Sequence, residues 1–265
     1  MKVRILFLIC FLCITCLLNA ADKPVIQIHT DNSSLIFHVA DNGRLYQSYL
    51  GKKLNHETDI SHLPQGTEAY ITHGMEDYFE PAIHILHNDG NPSLLLKYVS
   101  HETKAVSQGV NETIITLGDD KYPVTVKLHY VTYPAEDIIK TYTEISHKEK
   151  KPVVLHQYAS SMLHLNRAKY YLTEFSGDWA HEANVTEREL AFGKKVIDTK
   201  LGARANMFVS PFFQLALDNS SQENAGEVLV GTIGWTGNFR FTFEVDNKNE
   251  LRIISGINPY DSEYS

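Results

Sequence analysis

Short runs that alternate β-branched or aromatic residues with polar ones, separated by turn clusters, fill most of this chain, and no long window carries a helical period. TVKLHYVTY (Thr125–Tyr133), IIKTYTEIS (Ile138–Ser146) and FRFTFEV (Phe239–Val245) have the pattern of half-buried antiparallel strands. PVIQIH (Pro24–His29), LIFHV (Leu35–Val39), RLYQSYLG (Arg44–Gly51), VVLHQYASSMLHL (Val153–Leu165), KYYLTEF (Lys169–Phe175) and EVLVGTIGW (Glu227–Trp235) read the same way. Within the last of these, Gly231 marks a bulge or a close backbone approach. Asp41-Asn42-Gly43 is a hairpin turn, because Asn-Gly supplies the positive φ that a tight turn demands. The nearest helical candidate, Glu182–Lys195, is interrupted by Gly193 and has no clean apolar face. The expectation is an all-β chain, one large antiparallel β-sandwich running from Ala21 to residue 265.

The first twenty residues form a separate object. Lys2 and Arg4 precede the apolar run Ile5–Leu18, and Asn19-Ala20-Ala21 offers small residues for cleavage, the order of a secretory signal peptide. The apolar run is roughly 14 residues, short of the ~20 that a membrane-spanning helix needs. All three cysteines (Cys10, Cys13, Cys16) fall inside it, so a chain cleaved after Ala20 or Ala21 has no disulfide, no thiolate metal site and no cysteine nucleophile. Such a chain rests on its core alone. Secretion without disulfides favours a bacterial periplasm or cell surface over a eukaryotic secretory route, where the sequons at Asn32, Asn111, Asn184 and Asn219 would matter.

The formal net charge of −8 excludes a nucleic-acid binder, since no basic field exists to displace counterions, and disfavours adsorption to anionic membranes. Chemistry concentrates in GMEDYFEPAIHILHNDGNPSLLL (Gly74–Leu96). His84 and His87 there are three apart, so on a strand they face opposite ways and share no metal unless the backbone bends. Asn88–Pro92 is a turn cluster. Ser160-Ser161 lacks the Gly-x-Ser-x-Gly elbow of hydrolases, and no phosphate-cradling glycine loop is found. Trp179, in SGDWAHE after a strand, has two readings: a platform for a sugar ring, or a buried tryptophan with its N–H satisfied. A carboxylate pair for glycoside hydrolysis is spatial, about 5–9.5 Å apart, and is not identifiable from spacing in an all-β chain.

Taken in order, the segments resemble the amino-terminal domain of the glycoside hydrolase family 36 α-galactosidases. The residues that carry the resemblance are Asp41-Asn42-Gly43-Arg44-Leu45, Tyr49-Leu50-Gly51-Lys52, Asp77-Tyr78-Phe79-Glu80-Pro81-Ala82 and His87-Asn88-Asp89-Gly90-Asn91. It continues through Leu94–His101, Tyr158–Ser161, Phe175–Ala180, Gly202–Ala205, Pro211–Phe213, Gly226–Val228, Gly237–Phe239 and Gly256–Pro259.

The resemblance implies a β-supersandwich over residues 21–265 following a signal peptide over 1–20. In the family this domain precedes a (β/α)8 barrel that carries two catalytic aspartates and forms a covalent galactosyl intermediate. A barrel takes about 200 residues or more, so the catalytic pair is expected outside this chain, on a barrel from the same gene or a separate one. The resemblance further implies α-galactoside sugars as ligands, a homo-oligomer of the full enzyme, and neither cofactor nor metal. Membrane attachment is not expected once the signal is removed. The family loop at Gly74–Ala82 commonly reads Gly-Asp-Phe-Arg and lies near the sugar pocket, often that of a neighbouring subunit. Here Asp77 matches the acid and Tyr78 the aromatic, while Phe79 stands where the arginine would be and cannot offer a guanidinium fork. The candidate substrate-binding residues are therefore Asp77, Tyr78, Phe79 and Trp179.

Overall fold

A computed structural model describes residues 23–74 and 78–260; the proposed signal peptide lies outside them. The first sheet runs in chain order through β1 (Val25–His29), β2 (Ser33–Val39), β3 (Leu45–Lys52) and β4 (Thr67–Glu68), with a five-residue helix α1 (Glu57–Ser61) before β4. The Asn-Gly turn joins β2 to β3 as expected, with Gly43 at φ 78° and the Asn42 side chain accepting from the Arg44 backbone N–H at 2.9 Å. After β5 (Ile83–Leu86), four strands form a meander: β6 (Lys97–Ser107), β7 (Val110–Gly118), β8 (Val124–Tyr133) and β9 (Ile138–His147). β10 (Val154–Tyr158) returns to pair with β5.

The second half supplies β11 (Ser161–Asn166), β12 (Tyr170–Asp178), β13 (His181–Glu189), β14 (Gly193–Asp198), β15 (Val209–Gln222), β16 (Ala225–Thr232), β17 (Phe239–Val245) and β18 (Glu250–Ile257). They form two antiparallel sheets, ordered β11-β18-β17-β14 and β13-β12-β15-β16. One sequence run divides differently from expectation, and another, which lacked a clean helical face, proves to be strand. Val153–Leu165 is not one strand: Ala159 donates to the Ala82 carbonyl (2.7 Å) and Ser160 to that of Ser255 (2.8 Å), so β10 and β11 serve different sheets. Glu182–Lys195 is not helical at all but contributes to β13 and β14, with Leu190 buried between them.

Strand alternation builds two cores. Phe239, Phe241, Phe243 and Val245 of β17 point into one, against Leu172 of β12 and Phe213 and Leu215 of β15. There the Phe213 ring meets Phe241 and Phe243 edge-on, with centroids 5.2 and 4.9 Å away. Each phenylalanine so buried contributes roughly 1.5–3 kcal/mol. Gly231 is neither a bulge nor a close backbone approach but makes room for a ring, since a Cβ there would sit 2.2 Å from the Phe213 side chain. The other core gathers Ile26, Phe37, Ile83, Ile115 and Val126 from the first sheet, β5 and the meander. β18 contributes to both cores: Leu251 and Ile253 face the phenylalanines, while Ile254 faces the opposite way. The β11-β18-β17-β14 sheet is therefore covered on each side, which makes the molecule a doubled β-sandwich.

Candidate functional site

The alternation that sends the phenylalanines of β17 one way sends Glu244 the other way, and the same holds for Arg252 on β18 and His164 on β11. Register lines them up: His164 opposes Arg252, Arg252 opposes Glu244, and Glu244 opposes Lys194 on β14. A polar row thus crosses all four strands of the sheet. Its first three members are buried, with Arg252 only 2% exposed.

A buried guanidinium requires a partner. Both terminal nitrogens of Arg252 donate to Oδ2 of Asp246, each at 3.2 Å. Asp246 is itself fixed, because its Oδ1 accepts from the backbone N–H groups of Lys248 (2.8 Å) and Glu250 (3.0 Å) in the β17–β18 turn. His164 stays neutral beside this charge: burial first, and Arg252 second, push its pKa down to about 3.

The segment after Tyr78 docks on this row. The Phe79 ring packs over the Arg252 guanidinium, 3.5 Å from ring centroid to guanidinium carbon. The Glu80 backbone N–H donates to Glu244 Oε2 at 2.8 Å, and Lys194 Nζ donates to the Glu80 carboxylate at 2.7 Å, raising the lysine pKa. Gln157 donates to the Pro81 carbonyl. On the other side of the loop, Gly74 sits at φ 85° with Ser93 Cα 2.8 Å from where a Cβ would be, so only glycine fits there.

The candidate residues divide accordingly. Asp77 lies outside the described residues. Tyr78 is 96% exposed, whereas its neighbour Phe79 is turned inward onto Arg252 and the first core. Trp179 is not buried. It is 87% exposed and, with Ala180, forms the two-residue tip of the β12–β13 hairpin, Asp178 pairing His181 beneath it. That tip is held by the Trp179 N–H on Asp178 Oδ1 (2.7 Å) and by the Gly177 N–H on the Phe208 carbonyl (2.9 Å). The hairpin belongs to the outer sheet beyond the phenylalanine core, and the Phe79 loop docks on the far face of the middle sheet. The fold therefore holds the two candidates on different layers.

The two loop histidines also separate. His84 stacks on His73 (3.8 Å between centroids) and leans on His156 (4.8 Å), and burial followed by these two neighbours brings its pKa down to about 4. His87 pairs with Glu149 at 2.7 Å and stacks on Tyr122. Among the described residues no group of three or more His, Cys, Asp or Glu side chains is arranged to hold a metal. Asn88–Pro92 is the expected turn, closed by His87 N–H on the Asn91 carbonyl (2.9 Å) with Gly90 at φ 82°. Sequence reading missed the polar row. Its one signal was a charge set inside an apolar strand, Arg252 in Leu251–Ile254 and Glu244 between Phe243 and Val245.

Comparison with known proteins places this architecture. The chain is 25% identical over 274 residues to "Alpha-galactosidase 2" of Pediococcus pentosaceus, covering 91% of this chain and 38% of that one. It is 27% identical over 200 residues to "Alpha-galactosidase 2" of Hypocrea jecorina, covering 71% and 26%. The crystal structure of the GH36 alpha-galactosidase AgaA of Geobacillus stearothermophilus superposes with a TM-score of 0.83 at 22% identity, over 91% of this chain and 38% of that one. A variant of that enzyme solved in complex with raffinose superposes at 0.84. The chain thus spans less than two-fifths of the length of these relatives. The model for the glycosyl hydrolase family 36 N-terminal domain matches residues 43–265, so the doubled sandwich and the loop it carries belong to that domain family.

Proposed function

We propose that this chain is the non-catalytic N-terminal domain of a retaining α-galactosidase that hydrolyses terminal α-galactosides of oligosaccharides. The observation that carries this reading is the family match along most of the chain, joined to a fold that superposes on α-galactosidases, one of them solved with raffinose. In this reading the hydrolytic aspartates belong to a (β/α)8 barrel from the same gene or a separate chain. The sandwich contributes to oligomerisation and to the rim of the sugar pocket, with Tyr78 as the exposed aromatic of the rim loop. Exposed apolar side chains around Asn258–Tyr260 support a docked barrel. Lys200 lies 4.1 Å over the Tyr260 ring and Asn258 bonds the Thr199 carbonyl, while Tyr260 and Leu201 are 50% and 42% exposed. The signal-like first twenty residues support secretion, to a bacterial periplasm or cell surface.

One observation favours a second reading, a stand-alone carbohydrate-binding sandwich: Trp179 is presented to solvent at a hairpin tip, as a sugar platform would be. Two measurements separate the readings. The nucleotide sequence downstream of codon 265 should encode a barrel, in frame or after a single slip; an unrelated gene there would bring the binding module forward. A clean preparation of the 265-residue chain should not turn over an aryl α-galactoside, and clear hydrolysis would overturn the non-catalytic assignment.

A further inference from the structure

We infer that Arg252 is a positioning residue for the rim loop: it holds Phe79 down so that Tyr78 is presented outward as an uncharged aromatic contact for a pyranose ring. This rests on the proposed sugar-facing role of that loop and adds how the loop is held and what it offers.

Burying a guanidinium is costly to a fold. A guanidinium that is 2% exposed must be neutralised, and Asp246 does so from the turn below it. That pair alone would settle the charge. What it leaves is the flat face of the guanidinium turned to the loop, and the Phe79 ring occupies it at 3.5 Å. The next residue is fixed at two more points of the same row, its N–H on Glu244 and its carboxylate on Lys194. The residue after that is held through its carbonyl by Gln157, and Ala82 through its carbonyl by the Ala159 N–H. Four successive residues, Phe79 to Ala82, are thus anchored, and the residue just before them is 96% exposed.

The geometry has a chemical consequence. With Phe79 lying on it, the Arg252 charge faces the ring and the Asp246 carboxylate rather than solvent, and among the described residues of this loop the group left outward is a phenol. Recognition through Tyr78 is then stacking on the apolar face of a sugar plus one hydroxyl contact. A neutral contact of this kind is insensitive to salt, unlike one through a guanidinium.

The test uses the 265-residue chain with Phe79→Leu and Phe79→Tyr. Leucine keeps the apolar anchor but loses the flat ring over Arg252; tyrosine keeps the ring. Hydrogen exchange of the Glu80 and Ala82 amides, which donate to Glu244 and to the Ile71 carbonyl, is read alongside the thermal midpoint and raffinose titration. We expect Phe79→Leu to speed exchange at these amides at least tenfold with the thermal midpoint nearly unchanged, and Phe79→Tyr to restore protection. Raffinose affinity should fall at least fivefold in the leucine variant, recover in the tyrosine variant, and be the same at 50 and 500 mM salt. Unchanged exchange in Phe79→Leu overturns the positioning role, whatever raffinose does. Loss of protection with equal raffinose affinity in both variants overturns the link from Arg252 to Tyr78. If wild type itself gives no heat with raffinose, the sugar-facing reading of the loop fails for this chain, and the exchange data still decide whether Arg252 holds it.

Discussion

The Tyr78–Ala82 loop and the Trp179 hairpin each offer an exposed aromatic, but the two are held in different ways. Tyr78 is followed by four anchored residues, the first two of them on the polar row, while Trp179 stands at the tip of a hairpin whose first strand is backed by β15 as far as Ser176 and whose second is exposed along its whole length. The first is held by burial and charge, the second by backbone pairing and a short turn. An aromatic on the first should depend on residues far away in sequence, whereas an aromatic on the second should depend mainly on its own hairpin and the β15 strand beside it. The outer strand β13 is the weaker part of that restraint, because a strand exposed along its whole length buries little apolar area.

The largest effect expected from breaking the contrast is at Asp246. Asp246→Ala leaves Arg252 buried without its carboxylate, and a stability loss of about 3–5 kcal/mol is expected; chemical denaturation should show it, together with faster exchange at the Glu80 and Ala82 amides. Next is Phe79→Ala, which removes a half-buried ring from both the core and Arg252 and should cost about 2 kcal/mol.

The third test is pH. His164 has a folded pKa of about 3 against an unfolded value near 6.5, so the unfolded chain binds the extra proton between these values. The stability it confers is complete above about pH 6.5 and is lost as pH falls toward 3. His84, at about 4, acts in the same sense over the upper part of that window. Thermal midpoints should therefore fall below pH 6.5, and His164→Leu should flatten the fall; an equally steep profile in that variant would place the dependence elsewhere.

On the hairpin the expected changes are small. Ala180 adopts φ 61°, a left-handed conformation that costs a non-glycine residue about 1 kcal/mol, so Ala180→Gly should raise stability by up to about that amount. Trp179→Ala should stay within about 0.5 kcal/mol of wild type. If it also leaves raffinose binding untouched while Tyr78→Ala abolishes it, the two regions separate into a ligand contact and a bystander. The reverse result favours the stand-alone module.

Legibility in the sequence followed the same division. Of the hairpin, only the first strand could be read locally: KYYLTEF lies in β12, which runs on to Asp178, while β13 was not foreseen. The exposure of Trp179 could not be read either, because burial depends on whether another layer covers the tip. For the Tyr78–Ala82 loop, sequence identified the segment and its resemblance but not the anchor, since Phe79 and Arg252 are distant along the chain and meet only when β18 passes beneath the loop. A charged residue inside the apolar strand Leu251–Ile254 was visible, though nothing local said what it would hold.

By itself, then, the sequence determined the strand class, the Asn-Gly hairpin, the turn at Asn88–Pro92 and the family resemblance, because these rest on period-two alternation, backbone φ preferences and short ordered motifs. The tertiary structure alone decided that Val153–Leu165 breaks between two sheets, that Glu182–Lys195 is strand, that Phe79 turns inward and that Trp179 stays out. Each of those outcomes depends on which strand lies next to which, and in an antiparallel sandwich that is set by pairing between residues far apart in the chain.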